Sequence, residues 1–313
     1  MLKIHRPWPR RDCTLQLDGI RLHYAAWGPR RAPPLILLHG GAANSHWWDW
    51  VAPRLAGPVR VLALDFPGHG KSEWPRPPRY RMEDLVRAVM AFAEGLDVGC
   101  LDLVGHSLGG KIAMLVAAWH SRRMRSLVVI DATPDVSPEG LAQMRQIGTR
   151  PLRRFRSPRA AAQGFRLIPP ETVAGPARLR VLAVRSARHR GHGRWSIGPD
   201  REFFTRVVPQ MAWPLLPRIG CSTLIMRAQW SSILDRRTAQ AMQRAIPRST
   251  LCEVPKTRHH LILERPSEVS KVIRQFLMEH ALGKENATRT GWGESRPQRR
   301  TKRRGARVPR LGS

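Results

Sequence analysis

Acidic side chains are in short supply in this chain: 23 Asp and Glu stand against 54 Lys and Arg, and the formal net charge is +31 over 313 residues. Residues 283–313 carry +8 of it, ten Lys or Arg against two Glu, which leaves +23 for the rest. Arg296 to Arg310 is almost without apolar side chains, and such a stretch cannot bury enough surface to fold alone, so residues 282–313 are predicted to be a basic disordered tail. The excess charge offers a surface to nucleic acid or an anionic membrane. No recognised nucleic-acid-binding motif accompanies it, and the preponderance of arginine over lysine is equally the mark of compositional drift in the source genome.

Long apolar runs are missing too, since none reaches the eighteen or so residues that a membrane span needs. The basic segment from Met1 to Arg10 is not followed by an apolar core, which argues against a secretory signal and makes the cytoplasm the expected location. Cysteine is sparse and scattered: Cys13, Cys100, Cys221 and Cys252 form no C-x-x-C pair. Buried free thiols are expected rather than disulfides or a metal site. With 42% hydrophobic residues and 11 Trp, the chain still has ample material for a packed, enzyme-like core.

What is present is concentrated at Leu101 to Gly110, where a short apolar strand runs into a G-x-S-x-G turn made of Gly105, Ser107 and Gly109. A serine at the tip of such a strand-to-helix turn is held in a strained backbone conformation with its hydroxyl outward. The flanking glycines omit Cβ atoms that would collide with the neighbouring strand or helix. Lys111 to Trp119 reads as a mostly apolar, alanine-rich helix, whose N-terminal dipole favours negative charge developing beside Ser107. Strand, turn and helix together make Ser107 a candidate nucleophile. The bland alternative is a serine that merely caps the helix.

Thr14 to Trp27 alternates apolar and polar residues about Asp18-Gly19, a β-hairpin signature. Apolar runs at 34–38, 59–64, 101–104 and 126–130 are separated by helix-length segments at 46–56, 81–95 and 108–120, the pattern of a parallel sheet covered on both faces. After Asp131 no strand-like run appears until Cys221, and roughly ninety residues cannot form one loop in a compact domain. Residues 136–215 are therefore predicted to be a helical cap inserted between two parts of the core, 1–135 and 216–281. Leu141 to Pro199 holds thirteen arginines and one acid, Glu171, with a Gly-rich turn at Arg190-Gly191-His192-Gly193. A strand at 222–227, a helix near 236–246, a strand at 249–254 and an amphipathic helix near 266–281 complete the reading.

Four segments, in this order, carry a family resemblance: Leu38-His39-Gly40-Gly41, the loop from Leu64 to Ser72 with Asp65, His69 and Gly70, the serine turn, and His259-His260-Leu261-Ile262-Leu263-Glu264-Arg265-Pro266. Over residues 12–281 the chain resembles the α/β-hydrolase-fold serine hydrolases of the small bacterial esterase and lipase-like kind. The resemblance implies an α/β architecture with a mostly parallel sheet of the eight-stranded type, helices on both faces, a helical cap, and no cofactor or metal. It further implies that Ser107 attacks an acyl carbonyl and that His259 accepts its proton, with His260 the rival of the pair. Backbone N–H groups of Gly41 and Leu108 would form the oxyanion hole. His39, Asp65 and His69 are implied to be structural, and Trp47 and Trp48 either wall an acyl pocket or pack in the core.

The acid of the triad is not where the resemblance would put it. After the strand Thr223 to Arg227 the chain reads Ala228-Gln229-Trp230-Ser231-Ser232-Ile233-Leu234-Asp235, and Ser232 occupies the carboxylate's usual place. A hydroxyl orients an imidazole but cannot stabilise the imidazolium with a full charge, and replacing the acid by a neutral group costs on the order of ten-thousandfold in turnover. Asp131, after the strand that follows the serine helix, is one candidate and Asp235 another. A site without an acid is the third outcome.

The expected function is cleavage of a small or medium ester, or a related acyl bond, through an acyl-enzyme on Ser107. The arginine-rich cap hints at a carboxylate- or phosphate-bearing substrate, although solvated arginines on its outer face explain the composition as well. The alternatives are a carbon–carbon bond or lactone hydrolase on the same site, and a catalytically weakened protein that binds nucleic acid or an anionic membrane.

Overall fold

The computed structural model describes residues 8–208 and 210–282. The predicted basic tail lies, apart from its first residue, outside the described residues. The hairpin forms as read: β1 (Arg11–Leu17) and β2 (Ile20–Trp27) pair antiparallel with Leu17 opposite Ile20. Asp18 and Gly19 both take positive φ, 48° and 76°, as a two-residue turn between twisted strands requires.

Next come β3 (Pro34–Leu38), helix α1 (Ala52–Leu55), β4 (Arg60–Leu64), α2 (Met82–Glu94), β5 (Leu101–His106), α3 (Leu108–Trp119) and β6 (Met124–Ile130). The single helix predicted at 46–56 is in fact broken. A 3-10 turn at Ser45–Trp48, capped by the Asn44 side chain accepting from the His46 amide at 3.0 Å, precedes α1. Pro53 opens α1 and has no N–H with which to continue a hydrogen-bond ladder from the preceding turn.

The segment that follows β6 holds α4 (Pro138–Thr149), α5 (Pro158–Gln163), α6 (Pro176–Ser186), a short ribbon of β7 (Arg188–His189) with β8 (Trp195–Ser196), and α7 (Arg201–Arg206). Ser137 and Ser157 cap α4 and α5, accepting from Gly140 and Ala160 amides at 3.1 Å, with Pro in the first turn of each. The ribbon turns at Gly191, His192 and Gly193, all at positive φ. Strands of two residues carry no periodicity, so only this turn was legible in the sequence. Then come β9 (Ser222–Ala228), α8 (Arg236–Ala245), β10 (Ser249–Val254), α9 (Leu261–Glu264) and α10 (Pro266–Leu277).

One eight-stranded sheet runs in the order β1-β2-β4-β3-β5-β6-β9-β10. It is antiparallel only where β2 meets β1 and β4. Alternate strand residues feed two separate cores, as the twofold side-chain period dictates. Ile36, Leu38, Leu103, Leu127 and Val129 join α2, α3 and α8 on one face. Leu35, Leu37, Val104, Val128 and Ile130 join α1 and α10 on the other. The four cysteines are free, but only Cys221 is buried and Cys100 is exposed, a correction to the expectation of buried thiols. No helix of the described residues is long and apolar enough to cross a membrane.

Candidate active site

Ser107 sits between β5 and α3 with φ 54° and ψ −120°, a conformation that costs energy for any residue with a Cβ. Its amide donates to Ile130 O at 2.9 Å, and its carbonyl accepts from the Lys111 amide at 3.0 Å. The elbow is therefore clamped from β6 and from its own helix. The glycines around it are demanded by close approach. A Cβ on Gly105 would lie 2.2 Å from Gly109 O, and one on Gly109 would lie 2.2 Å from Leu38 O.

His259 stands in the loop after β10, 2% exposed. Its Nδ1–H donates to Asp131 Oδ2 at 2.8 Å. Asp131 ends β6 at φ 45°, fully buried, with Oδ1 accepting from the Ala228 amide at 2.9 Å and Oδ2 accepting from the Ser231 hydroxyl at 2.6 Å. Burial pushes the Asp131 carboxyl up to about 6, while the Ser231 and Ala228 donors pull the other way. The carboxyl is thus ionised at neutral pH. Burial also lowers the His259 ring, to about 3, so the resting imidazole is neutral, with Nδ1–H committed to Asp131.

Asp235, the other candidate acid, is exposed and caps α8, accepting from the Thr238 amide at 2.9 Å and its hydroxyl at 2.6 Å. Ser232 lies in the cavity wall, but the hydroxyl that reaches the acid belongs to its neighbour Ser231. Ser231 Oγ in turn accepts from the Ile233 and Leu234 amides at 3.0 and 2.9 Å. Those two amides leave its proton free to point at Asp131. The loop after β9 thus supplies a donor to a carboxylate held by β6.

The rival His260 is not in the cavity wall: its Nε2–H donates to Pro169 O at 2.7 Å and its ring meets Trp47 edge-on. Trp47 and Trp48 are 4% and 0% exposed and belong to the core beneath the loop, not to the cavity wall. His39 is structural, accepting from the Phe66 amide at 3.1 Å and donating to Gly40 O at 2.8 Å. Asp65 ties its loop together by accepting from the Ser45 amide at 2.5 Å, the Lys71 amide at 2.9 Å and the His23 ring at 2.7 Å. His69, 0% exposed, donates to Pro67 O at 3.0 Å.

Besides Ser231, another residue of the site was missed by sequence reasoning. His106, the neighbour of Ser107, donates from Nε2 to His259 O at 2.9 Å, so the ring beside the serine pins the backbone of the distant histidine. The only available signal was a polar ring at the end of an otherwise apolar strand. Among the described residues, His106, His259 and His260 are the group whose ligand atoms lie close enough, within 4.8 Å, to share a cation. A cation there would take the lone pair that a base at His259 needs. The three rings therefore fit a role of mutual positioning better than one of metal binding.

Ser107, His259, Gly41 and Leu108 all line one cavity of about 340 Å³, walled also by Met82, Met144, Ile147 and Phe204. None of the thirteen arginines between Leu141 and Pro199 is in that wall; Lys111 is. Several of those arginines instead bond back to the core, Arg178 to Leu263 O, Arg185 to Asp49 and Arg188 to Gly70 O and Ser72 O. A hydroxyl at a strained tip, a neutral imidazole backed by a carboxylate, and the first amide of a helix facing one mostly apolar cavity are the parts acyl transfer requires.

The profile of the alpha/beta hydrolase fold matches residues 33–266. Epoxide hydrolase 3 of Xenopus tropicalis is 27% identical over 86% of this chain and 78% of its own length. An esterase of Mycobacterium tuberculosis is 29% identical over 80% of this chain and 84% of its own. Among solved structures, an alpha/beta hydrolase from Novosphingobium aromaticivorans superposes with a TM-score of 0.72 at 28% identity, covering 86% of this chain and 98% of that one. E-2-(acetamidomethylene)succinate hydrolase, at 21% identity and a TM-score of 0.75 over 86% of this chain and all of that one, shares the fold. With a match over most of its length and a complete eight-stranded core, the chain belongs to the α/β hydrolase fold family.

Proposed function

We propose that the protein is a serine hydrolase that cleaves an ester or related acyl bond through an acyl-enzyme on Ser107. The observation that carries this reading is the 2.8 Å bond from His259 Nδ1 to Asp131 Oδ2, made by a ring that shares its cavity with Ser107. Ser107 Oγ adds to the acyl carbon as its proton passes to His259 Nε2, and Asp131 holds the resulting imidazolium. The charge that gathers on the carbonyl oxygen is met by the Gly41 and Leu108 amides. Collapse expels the alcohol, which leaves with the proton from His259. Water then repeats the sequence on the acyl-enzyme, releasing the acid and restoring Ser107.

In this reading residues 136–215 act as a cap that sets substrate choice. The name of the epoxide hydrolase relative does not transfer with its sequence, because the residue at the elbow here is a hydroxyl nucleophile suited to acyl carbon. The test is an active-site fluorophosphonate probe on the full chain. Labelling confined to Ser107, and absent from Ser107→Ala, is the expected result; folded protein that takes up no label overturns the reading.

A further inference from the structure

Among the described residues, Lys111 is the one Lys or Arg in the wall of the cavity. It stands one turn of α3 beyond Ser107 and is 3% exposed. Among the described residues its Nζ has no hydrogen-bond partner. An ammonium held away from water without a partner is expensive, and proteins retain such groups chiefly where function uses them. Helix side chains tilt toward the N-terminus, which here is the Ser107 end. Asp135, in the same wall, accepts the Ala212 amide on Oδ1 at 2.8 Å and forms no ion pair with Lys111. The same wall also holds the apolar side chains of Met82, Met144, Ile147 and Phe204. The cavity thus presents an ammonium that, among the described residues, has no hydrogen-bond or ion-pair partner, with the Asp135 carboxylate acting on it only from a longer distance.

We propose, building on the acyl-transfer reading, that Lys111 determines specificity and that the acyl part of the substrate carries a carboxylate separated from its scissile carbonyl by a short apolar chain. The apolar wall takes that chain, and the ammonium takes the charge at its far end. One ammonium is a point charge without the planar fork of an arginine, and it matches a monoanionic carboxylate better than a phosphate dianion. Burial lowers Lys111 to about 8, with Asp135 opposing, so the ammonium form still prevails at neutral pH.

The 4-nitrophenyl monoester of adipic acid and 4-nitrophenyl hexanoate have the same leaving group and chain length, and they differ only in the terminal carboxylate. The full chain should prefer the adipate monoester in kcat/KM. In Lys111→Met that preference should shrink about 10- to 100-fold, the range that loss of one charge-assisted hydrogen bond converts to. The change should fall mainly in KM, and Lys111→Arg should restore part of it. A wild-type chain without the preference, or a Lys111→Met chain that keeps it, overturns the proposal. If Lys111→Met does not fold, wild-type protein decides the matter: adipate should slow fluorophosphonate labelling of Ser107 while hexane-1,6-diol does not, and equal effects overturn the proposal. Labelling of Ser107 with no adipate preference sinks the role of Lys111 alone, whereas absence of both labelling and ester hydrolysis sinks the acyl-transfer reading with it.

Discussion

Asp131 meets the His259 ring from the end of β6, while Asp235 spends both of its oxygens on Thr238 at the start of α8. The two carboxylates should therefore respond to mutation in opposite ways. Asp131→Asn is expected to lower kcat on the order of 10⁴-fold, since an amide keeps the shape but not the charge that holds an imidazolium. Asp235→Ala should leave kcat within about twofold and cost roughly 1 kcal/mol of stability through the lost N-cap. Steady-state kinetics and urea unfolding on the two variants check both. The pH profile carries the same logic. The Asp131 carboxyl, raised to about 6 by burial, becomes neutral as pH falls through that value and no longer stabilises a charged ring. Activity should thus be flat above the limb and drop toward acid with a midpoint near 6, a value that belongs to the Asp131–His259 pair. A limb centred far from it would show that another group controls the proton.

Two connections act as whole elements. The turn after β9 offers the Ser231 hydroxyl, itself fixed by two amides, to Asp131 Oδ2 at 2.6 Å. Ser231→Ala removes a donor that favours the ionised carboxyl. It should move the acid limb to higher pH and lower kcat about tenfold at neutral pH, the lower end of what a hydrogen bond to a charge is worth. A stability effect with an unmoved pH profile would assign Ser231 to the scaffold only. At the elbow, α3 packs on β3 through missing side chains. Gly109→Ala would place a Cβ 2.2 Å from Leu38 O, whereas a Cβ at Gly41 meets nothing within 4 Å. Gly109→Ala is expected to cost about 3 kcal/mol or more through overpacking against backbone, and Gly41→Ala far less, as chemical denaturation of the two variants would read.

At the scale of the whole molecule, the chain carries a net charge of +31, yet among the described residues the cavity wall holds one Lys or Arg. The arginines of residues 141–199 that bond to Leu263 O, Asp49, Gly70 O and Ser72 O fasten that segment to the sheet domain, so part of the basic composition is structural. The remaining field should still steer anions toward the protein. Raising ionic strength from about 0.01 to 0.15 M shortens the screening length from about 30 to 8 Å. Over that range kcat/KM for the adipate monoester should fall while that for the neutral hexanoate ester stays nearly constant. Stopped or steady-state assays in matched buffers measure the two slopes, and parallel slopes would deny the field any part in substrate capture.

Most strands, the hairpin and the elbow were legible because each is a local pattern: alternation about Asp18-Gly19, apolar runs of strand length, and glycines two residues either side of Ser107. The break at Pro53 and the two-residue strands of the ribbon escaped, since neither carries a period long enough to register. The acid was legible only as a choice, with Asp131 preferred to Asp235, for a different reason. Asp131 and His259 are 128 positions apart, and His106 reaches the backbone of His259 across 153; no local signal links residues so distant. Lys111 looked like one polar position on an apolar helix until packing sealed it without a partner. The sequence by itself determined where backbone could bend and which faces had to be buried, because sterics and side-chain period act between near neighbours. Only the tertiary structure decided which carboxylate, hydroxyl and ammonium face the cavity, because burial and electrostatics depend on what the folded chain brings together.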